Sequence, residues 1–114
     1  MSQDPTIFSR IIAREIPATI VYEDDQALAF NDMYAAAPFH VLVVPKRPIV
    51  NIDAMDDDDV ALFGHLVRVC KKVANEAGYS DYRVVANVGA GAGQTVFHHH
   101  FHVLAGRPLK WPPG

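Results

Sequence analysis

Runs of apolar residues along the chain predict several short strands. Residues 19–22 are rich in β-branched and aromatic side chains, and residues 27–30 form a second apolar run after a polar turn, which predicts a hairpin. Residues 40–44 form an apolar run long enough for a strand that is buried on both faces. Two further strands are predicted at residues 82–86 and within 94–104.

Helical spacing predicts one short and one long helix. Asp4 and Pro5 are a start signal for the first helix, and the pair Ile16-Pro17 is expected to end it. The second helix extends from about residue 57 to 77, with one apolar face formed by Leu62, Phe63, Leu66, Val67, Cys70, Val73, Ala74 and Ala77. The order of elements predicts an α+β domain in which helices pack on an antiparallel sheet.

The aspartates at positions 56–59 precede the long helix directly. A metal site is one interpretation of such a run, but carboxylates also favour the N-terminal end of a helix dipole. Because a helix follows at once, we interpret these residues as its start.

Length and composition narrow the picture. The 114 residues form one domain, 1–114, with 50% hydrophobic and 20% charged residues. A net charge of −3 and a pI near 6.0 argue against an extended nucleic-acid surface. A single cysteine, the lack of a signal-peptide pattern and the lack of a membrane-length apolar run predict a cytoplasmic protein without a membrane partner. So small a domain would gain stability as a homodimer.

Four of the six histidines lie between positions 98 and 102. On an extended strand His98, His100 and His102 would share one face, and His99 would lie on the other. Alternate residues of a strand are roughly 6.5–7 Å apart, so the three imidazoles could reach one ligand.

A zinc site is one interpretation of this row, since two histidines at alternate strand positions can bind the same ion. The neighbouring sequence offers no Cys, Asp or Glu ligand and no carboxylate to orient the rings, and only His40 could be a fourth ligand. We therefore expect no metal and no cofactor, an expectation that metal analysis would test.

Phosphate chemistry is the alternative. A neutral imidazole is a competent nucleophile near pH 7, and His100 has a histidine on each side. The preceding loop contains Gly89, Gly91 and Gly93, which would let backbone N–H groups approach an anion. Gln94 and Thr95 offer side-chain donors at the start of the predicted strand.

Residues 94–104 resemble the His-φ-His-φ-His-φ-φ motif (φ, apolar) of the histidine triad (HIT) superfamily, and the similarity covers nearly the whole chain. The segment Ala105-Gly106-Arg107 and the ending Trp111-Pro112-Pro113-Gly114 resemble the HINT branch of nucleotide-binding proteins. The resemblance implies a HIT-like fold, namely a five-stranded antiparallel sheet with one short and one long helix, whose sheets join across a homodimer.

The resemblance also implies a purine nucleoside phosphoramidase. Such enzymes cleave the P–N bond of adenosine 5′-phosphoramidate-type substrates through a nucleotidyl-histidine and release AMP without a metal. His100 would attack the phosphorus, and His98 and His102 would flank the phosphate. His102 would also move the proton that the leaving amine needs, with His40 behind it in a relay.

Nucleotide-binding residues follow from the same resemblance. Asp32 resembles the carboxylate that accepts the ribose hydroxyls. Phosphate and leaving-group contacts match Asn87, Gly93, Gln94 and Thr95, and the apolar walls around the base match Ile7, Phe8, Phe30, Met33 and Leu42. Trp111 would reach the active site of the partner subunit.

Two positions depart from the family pattern, and one functional alternative stays open. His99 replaces an apolar residue and is expected to serve packing or an interface, while Pro48 replaces a histidine common in relatives. The alternative function is a nucleotide-binding protein-interaction module with little turnover.

Overall fold

The computed structural model describes residues 5–114, which contain two α-helices and five strands. The helices are α1 (Ile7–Ile12) and α2 (Val60–Glu76), and the strands are β1 (Ile20–Glu23), β2 (Ala27–Asn31), β3 (Phe39–Pro45), β4 (Arg83–Val85) and β5 (Phe101–Ala105). The strands form one sheet in the order β1-β2-β3-β5-β4, and all neighbours are antiparallel. The predicted α+β architecture, with a five-stranded antiparallel sheet, one short helix and one long helix, is confirmed.

The sheet is covered on both faces, and successive residues of its central strands alternate between them. The face toward α2 carries Ala27, Ala29, Val41, Val43, Phe101 and Val103. The opposite face carries Leu28, Phe30, Leu42 and Val44, which pack with Phe8 and Ile11 of α1. Burial on both sides explains why residues 41–45 of β3 are all apolar rather than alternating with polar residues.

Helix α1 starts and ends at different residues from those predicted. Its N-cap is Thr6, whose hydroxyl accepts the Ser9 N–H at 3.1 Å while Ser9 Oγ accepts the Thr6 N–H at 2.7 Å, a reciprocal capping box. The predicted cap, Asp4, lies outside the described residues. The helix ends before Ile16 because the backbone turns into the left-handed region at Arg14, with φ 64°.

Helix α2 is preceded by a 3-10 turn, Asp57–Asp59, that the aspartates cap. The Asp56 carboxylate accepts the Asp58 N–H at 2.9 Å, and Asp59 accepts the Asp56 N–H at 3.0 Å. The predicted role of this acidic run as a helix start is therefore confirmed.

The predicted apolar face of α2 was wrong at its margins. Val67 is 53% exposed and Ala77 is also exposed, whereas Val69 is buried and was not predicted. Adjacent helical residues point about 100° apart, so the face that contacts the sheet includes Val69 beside Cys70 and excludes Val67.

The histidine segment was predicted to be a strand from its start, but β5 begins only at Phe101. The His99 N–H donates to Ile49 O at 2.6 Å instead of to a neighbouring strand, and the His98 ring bonds to Pro45 O at 2.7 Å. These two contacts draw residues 98–100 away from the sheet ladder. The side chains nevertheless alternate, so His99 faces α2 and His100 faces the opposite side.

His99 is a polar residue inside the core, where it is 1% exposed. Its ring centroid lies 4.6 Å from that of Phe63 and 4.6 Å from that of Phe101, and its Nε2 has no hydrogen-bond partner. Burial, and to a smaller extent the charges of His100 and His98, lowers the pKa of His99 to about 4. His99 is therefore a neutral packing residue at pH 7, which gives the predicted packing role a physical basis.

We expect His99→Leu to increase the free energy of unfolding, and to do so more at pH 5 than at pH 8. The folded protein holds His99 with a pKa of about 4 against 6.5 when unfolded, so the unfolded chain binds more protons at pH 5. Wild-type stability thus falls as the pH is lowered, by about 2 kcal/mol from this group between pH 8 and 5, and Leu removes the loss. Urea denaturation of both proteins at the two pH values measures the difference. Equal gains at both would contradict the assignment.

Candidate active site

A cavity of about 880 Å³ opens on the face of the sheet that packs with α1. Ten of the residues predicted to contact substrate line it, namely Ile7, Phe8, Phe30, Asp32, Met33, His40, Leu42, Thr95, His100 and His102. They come from α1, β2, β3, β5 and the segments that follow β2 and precede β5. The structure therefore brings together residues that are up to 95 positions apart in the sequence, Ile7 and His102 being the outermost.

Backbone pairing brings the polar members of this set together. His102 of β5 lies opposite Leu42 of β3, so it is a diagonal neighbour of His40. The Asp32 N–H donates to His40 O at 2.9 Å, which continues the β2–β3 ladder one residue beyond β2. Asp32, His40 and His102 consequently meet at one end of the cavity.

A backbone contact of His100 fixes which of its two ring nitrogens carries the proton. Its Nδ1 lies 2.9 Å from the His98 carbonyl oxygen. A carbonyl can only accept, so Nδ1 carries the proton and Nε2 keeps its lone pair. The Phe8 ring packs edge-on against the imidazole, with centroids 4.9 Å apart. Burial lowers the pKa of His100, so the ring is neutral and nucleophilic at pH 7.

His98 does not line the cavity, although it was predicted to flank the phosphate. Its side chain is buried, and its Nε2–H donates to Pro45 O at 2.7 Å. The reason is the late start of β5, since the backbone before Phe101 leaves the sheet and turns this ring toward the end of β3. What His98 provides to the site is its carbonyl oxygen, which fixes His100.

His40 and His102 form a hydrogen bond in which His40 is the donor. The Ala36 N–H donates to His40 Nδ1 at 2.9 Å, so the His40 proton is on Nε2. That Nε2 lies 2.9 Å from His102 Nδ1 and 3.3 Å from Asp32 Oδ2. Because His102 Nδ1 accepts from His40, the proton of neutral His102 is on Nε2.

Both rings of this pair are neutral at pH 7. Burial, helped by the neighbouring charges of His100 and His40, lowers the pKa of His102 to about 4, and the Asp32 carboxylate opposes this. Burial likewise lowers the pKa of His40 against the attraction of Asp32. Burial is the largest cause of the lowered pKa of both rings.

The ligating atoms of Asp32, His40 and His102 lie within 4.8 Å of one another, a spacing compatible with a metal ion. However, His40 Nε2 carries a proton directed at the other two groups, and a ligating nitrogen must be unprotonated. The hydrogen bond from Ala36 occupies the lone pair of His40 Nδ1. The three groups are thus arranged for proton sharing.

The glycine-rich loop was predicted to offer backbone N–H groups to an anion, but its glycines do not line the cavity. The N–H groups of Ala92, Gly93 and Gln94 donate to carbonyls within the loop, which forms a 3-10 turn at Ala90–Ala92. The positive φ of Gly93, 99°, closes that turn, and Gly93 lies against the Asn87 side chain. Neither Gly93 nor Asn87 lines the cavity.

The Gln94 side chain, which was predicted to contact phosphate, does not line the cavity and is held by hydrogen bonds within the protein. The side chain is buried, and its amide donates to Val50 O at 2.7 Å and to Val96 O at 3.1 Å. Its oxygen accepts the Gly89 N–H at 2.9 Å and an Asn51 amide hydrogen at 3.1 Å. Both amide hydrogens of Gln94 are therefore used to hold the loop. The neighbouring polar residue Thr95 does line the cavity.

Sequence reasoning missed part of the apolar wall. Ile11, Ile16, Pro17, Ala18, Thr19, Asn31, Tyr34 and Val96 also line the cavity. Four of these eight residues belong to the connection between α1 and β1. In the sequence this connection shows only the signal that ends a helix and the start of a strand. Trp111 lies outside this cavity and is 81% exposed.

The backbone contacts predict a specific tautomer for each ring. Imidazole nitrogen chemical shifts of ¹⁵N-histidine-labelled protein at pH 7.5 should show the Nδ1–H form for His100 and the Nε2–H form for His40 and His98. Histidine-to-glutamine variants at each position assign the signals. The Nε2–H form at His100 would contradict the proposed orientation of its lone pair.

The chain is similar to known proteins over nearly its whole length. Residues 13–109 match the HIT domain family. The chain is 56% identical over 115 residues to an uncharacterized HIT-like protein of Synechocystis sp., with 100% of both chains covered. A HIT family hydrolase from Legionella pneumophila has a TM-score of 0.92 and 45% identity over 95% of this chain and 98% of that chain. One from Clostridium thermocellum has a TM-score of 0.91 and 38% identity, with 96% of each chain covered. The chain therefore belongs to the HIT domain family.

Proposed function

We propose that this protein is a hydrolase of the HINT branch that cleaves the P–N bond of purine nucleoside 5′-phosphoramidates and releases AMP from the adenosine compound. The observation that carries the proposal is the hydrogen bond from His100 Nδ1 to the His98 carbonyl. It leaves a neutral Nε2 nucleophile in a cavity that also holds a proton donor, the Nε2–H of His102.

The two steps of the reaction follow from these nitrogens. His100 Nε2 forms a bond to phosphorus while the P–N bond of the substrate breaks, and its electron pair goes to the amine nitrogen. His102 supplies a proton, because an unprotonated amine anion is a very poor leaving group. Water then attacks the nucleotidyl-histidine and frees His100.

The cavity suits a purine nucleotide. Its volume of about 880 Å³ lies within the usual range for small-molecule sites, and its wall is mostly apolar, as a purine base requires. Asp32, at the polar end, is fixed by the Tyr34 N–H at 2.7 Å and offers the carboxylate that we assign to the ribose hydroxyls. Thr95 also lines the cavity, and we assign its hydroxyl to the phosphate.

Relatives support hydrolysis, and segments of this sequence support the branch. The similar proteins of Legionella pneumophila and Clostridium thermocellum are described as hydrolases. The segment Ala105-Gly106-Arg107 and the ending Trp111-Pro112-Pro113-Gly114 support the HINT branch. No residue assigned to the reaction needs a metal or a cofactor.

His100→Ala should abolish turnover of adenosine 5′-phosphoramidate, because it removes the atom that bonds to phosphorus. AMP release, followed by chromatography, is expected to fall by at least about 10³-fold while AMP still binds in calorimetry. His99→Leu is the matched control, since its ring faces α2, and it should keep wild-type turnover.

Two results would argue against the proposal. Full activity of His100→Ala would exclude His100 as nucleophile. A wild-type protein that binds AMP but releases none faster than buffer would favour the nucleotide-binding interaction module.

We also propose that the protein is a homodimer whose sheets join through β4. The sheet ends at β4, whose Val84 is exposed, and α2 exposes Val60 and Val67 on the side away from the core. Gly64 lies between them and has open space above its Cα, which would let a second helix approach closely. Trp111 is exposed and is proposed to contact the partner subunit.

Val67→Glu should shift the protein from dimer to monomer in sedimentation velocity, because a charge would be buried at the interface. Val21→Glu is the matched control, since Val21 is similarly exposed but belongs to the opposite edge strand. A dimer that persists in Val67→Glu would place the interface elsewhere.

A further inference from the structure

We infer that Asp32 is also a positioning residue of the proton relay. Its carboxylate accepts a hydrogen bond from the His40 Nε2–H while His102 protonates the leaving amine. This inference rests on the proposed phosphoramidase function and extends the role of Asp32 beyond the ribose hydroxyls. The juxtaposition that suggests it is the 3.3 Å between Asp32 Oδ2 and His40 Nε2, beside the 2.9 Å between that nitrogen and His102 Nδ1.

The backbone holds the Asp32 carboxylate in this place. Its Oδ1 accepts the Tyr34 N–H at 2.7 Å, and the Asp32 N–H donates to His40 O at 2.9 Å. One carboxylate oxygen is thus used for the turn, and the other remains for the imidazole. The Asp32 side chain is 17% exposed and that of His40 is 6% exposed, so solvent screens this contact only partly.

The protonation state of His102 creates the need for a second acceptor. In the neutral pair, His102 carries its proton on Nε2, and its Nδ1 accepts from His40. If neutral His102 gave away the Nε2 proton, it would become an imidazolate, which is too basic to form near pH 7. His102 must therefore first gain a proton at Nδ1, taken from solvent when the anionic phosphate binds.

Once Nδ1 is protonated, His102 no longer accepts from His40, and two N–H groups would face each other across 2.9 Å. His40 cannot relieve this by moving its proton to Nδ1, because the Ala36 N–H occupies that lone pair. The remaining acceptor is Asp32 Oδ2. Its negative charge also stabilises the imidazolium, and the facing titratable groups on the neighbouring elements are His100, His40 and Asp32.

The proton balance closes over the two steps. The cationic His102 gives its Nε2 proton to the amine as the P–N bond breaks, and it becomes neutral with Nδ1–H and a bare Nε2. In the second step the bare Nε2 takes a proton from the attacking water, whose oxygen bonds to phosphorus as the bond to His100 breaks. Loss of the Nδ1 proton to solvent restores the starting pair. Asp32 thereby lets one ring act first as acid and then as base.

The test separates this role from ribose binding by combining one variant with two substrates. Asp32→Asn keeps an oxygen for the Tyr34 N–H but replaces the charge with a neutral amide. The substrates are adenosine 5′-phosphoramidate and its 2′,3′-dideoxy analogue, which has no hydroxyls for Asp32 to bind. Asp25→Asn, an exposed carboxylate in the β1–β2 turn, is the matched control.

We expect Asp32→Asn to lower kcat by about tenfold or more on both substrates. This is less than the roughly 10²–10⁴-fold that a general acid–base group itself contributes, because Asp32 acts through His40 and His102. The alkaline limb of kcat/KM should also move to lower pH, because without the carboxylate the His40–His102 pair loses its proton at lower pH. Asp25→Asn should change neither quantity.

Three outcomes would overturn the inference or its basis. If Asp32→Asn lost activity only on adenosine 5′-phosphoramidate, mainly through a higher KM, Asp32 would act on the ribose hydroxyls alone. The phosphoramidase function would then stand. An unchanged pH limb with a lower kcat would assign Asp32 a merely structural role. Absence of wild-type turnover on either substrate would instead overturn the proposed function and, with it, this inference.

Discussion

The central strands place every second side chain on each of two covered faces, and the rest of the molecule depends on this alternation. On one face, β2, β3 and β5 offer alanine, valine and phenylalanine to α2, and this packing holds the larger core together. On the other face the same strands contribute Phe30, Leu42 and His102 to a cavity that α1 closes from above. Because one register serves both faces, a one-residue slip would move the His102 imidazole into the core and a core residue into the cavity.

Burial and backbone contacts together set the protonation of the imidazoles in the cavity. Burial lowers the pKa of His100, His102 and His40, so each ring is neutral at pH 7. A neutral imidazole has one donor and one acceptor nitrogen, and main-chain groups decide which is which. The carbonyl of His98 and the amide of Ala36 therefore decide which nitrogen of His100 and of His40 carries the proton.

Much of the fold could be predicted from local pattern. The capping role of the acidic run before α2 followed from helix electrostatics, and the strand at 40–44 followed from its length and apolarity. The first helix was less predictable, because its actual cap, Thr6, and its end near Arg14 carry weak signals beside the stronger pairs Asp4-Pro5 and Ile16-Pro17. The start of β5 depended on contacts with Ile49 and Pro45, which are distant in sequence.

For the site, the sequence by itself determined which side chains are candidates for the proposed chemistry. Three histidines at alternate positions, a further histidine at position 40 and an aspartate after β2 are recognisable from type, spacing and family resemblance. Only the tertiary structure decided how each group is placed, and the proposed chemistry depends on which nitrogen is protonated and which side chain reaches the cavity. In the folded protein the His98 ring points away from the cavity and its carbonyl contacts His100. The Gln94 amide holds a loop, and Asp32 lies beside His40. These outcomes rest on hydrogen bonds between residues far apart in the chain, which no local pattern encodes.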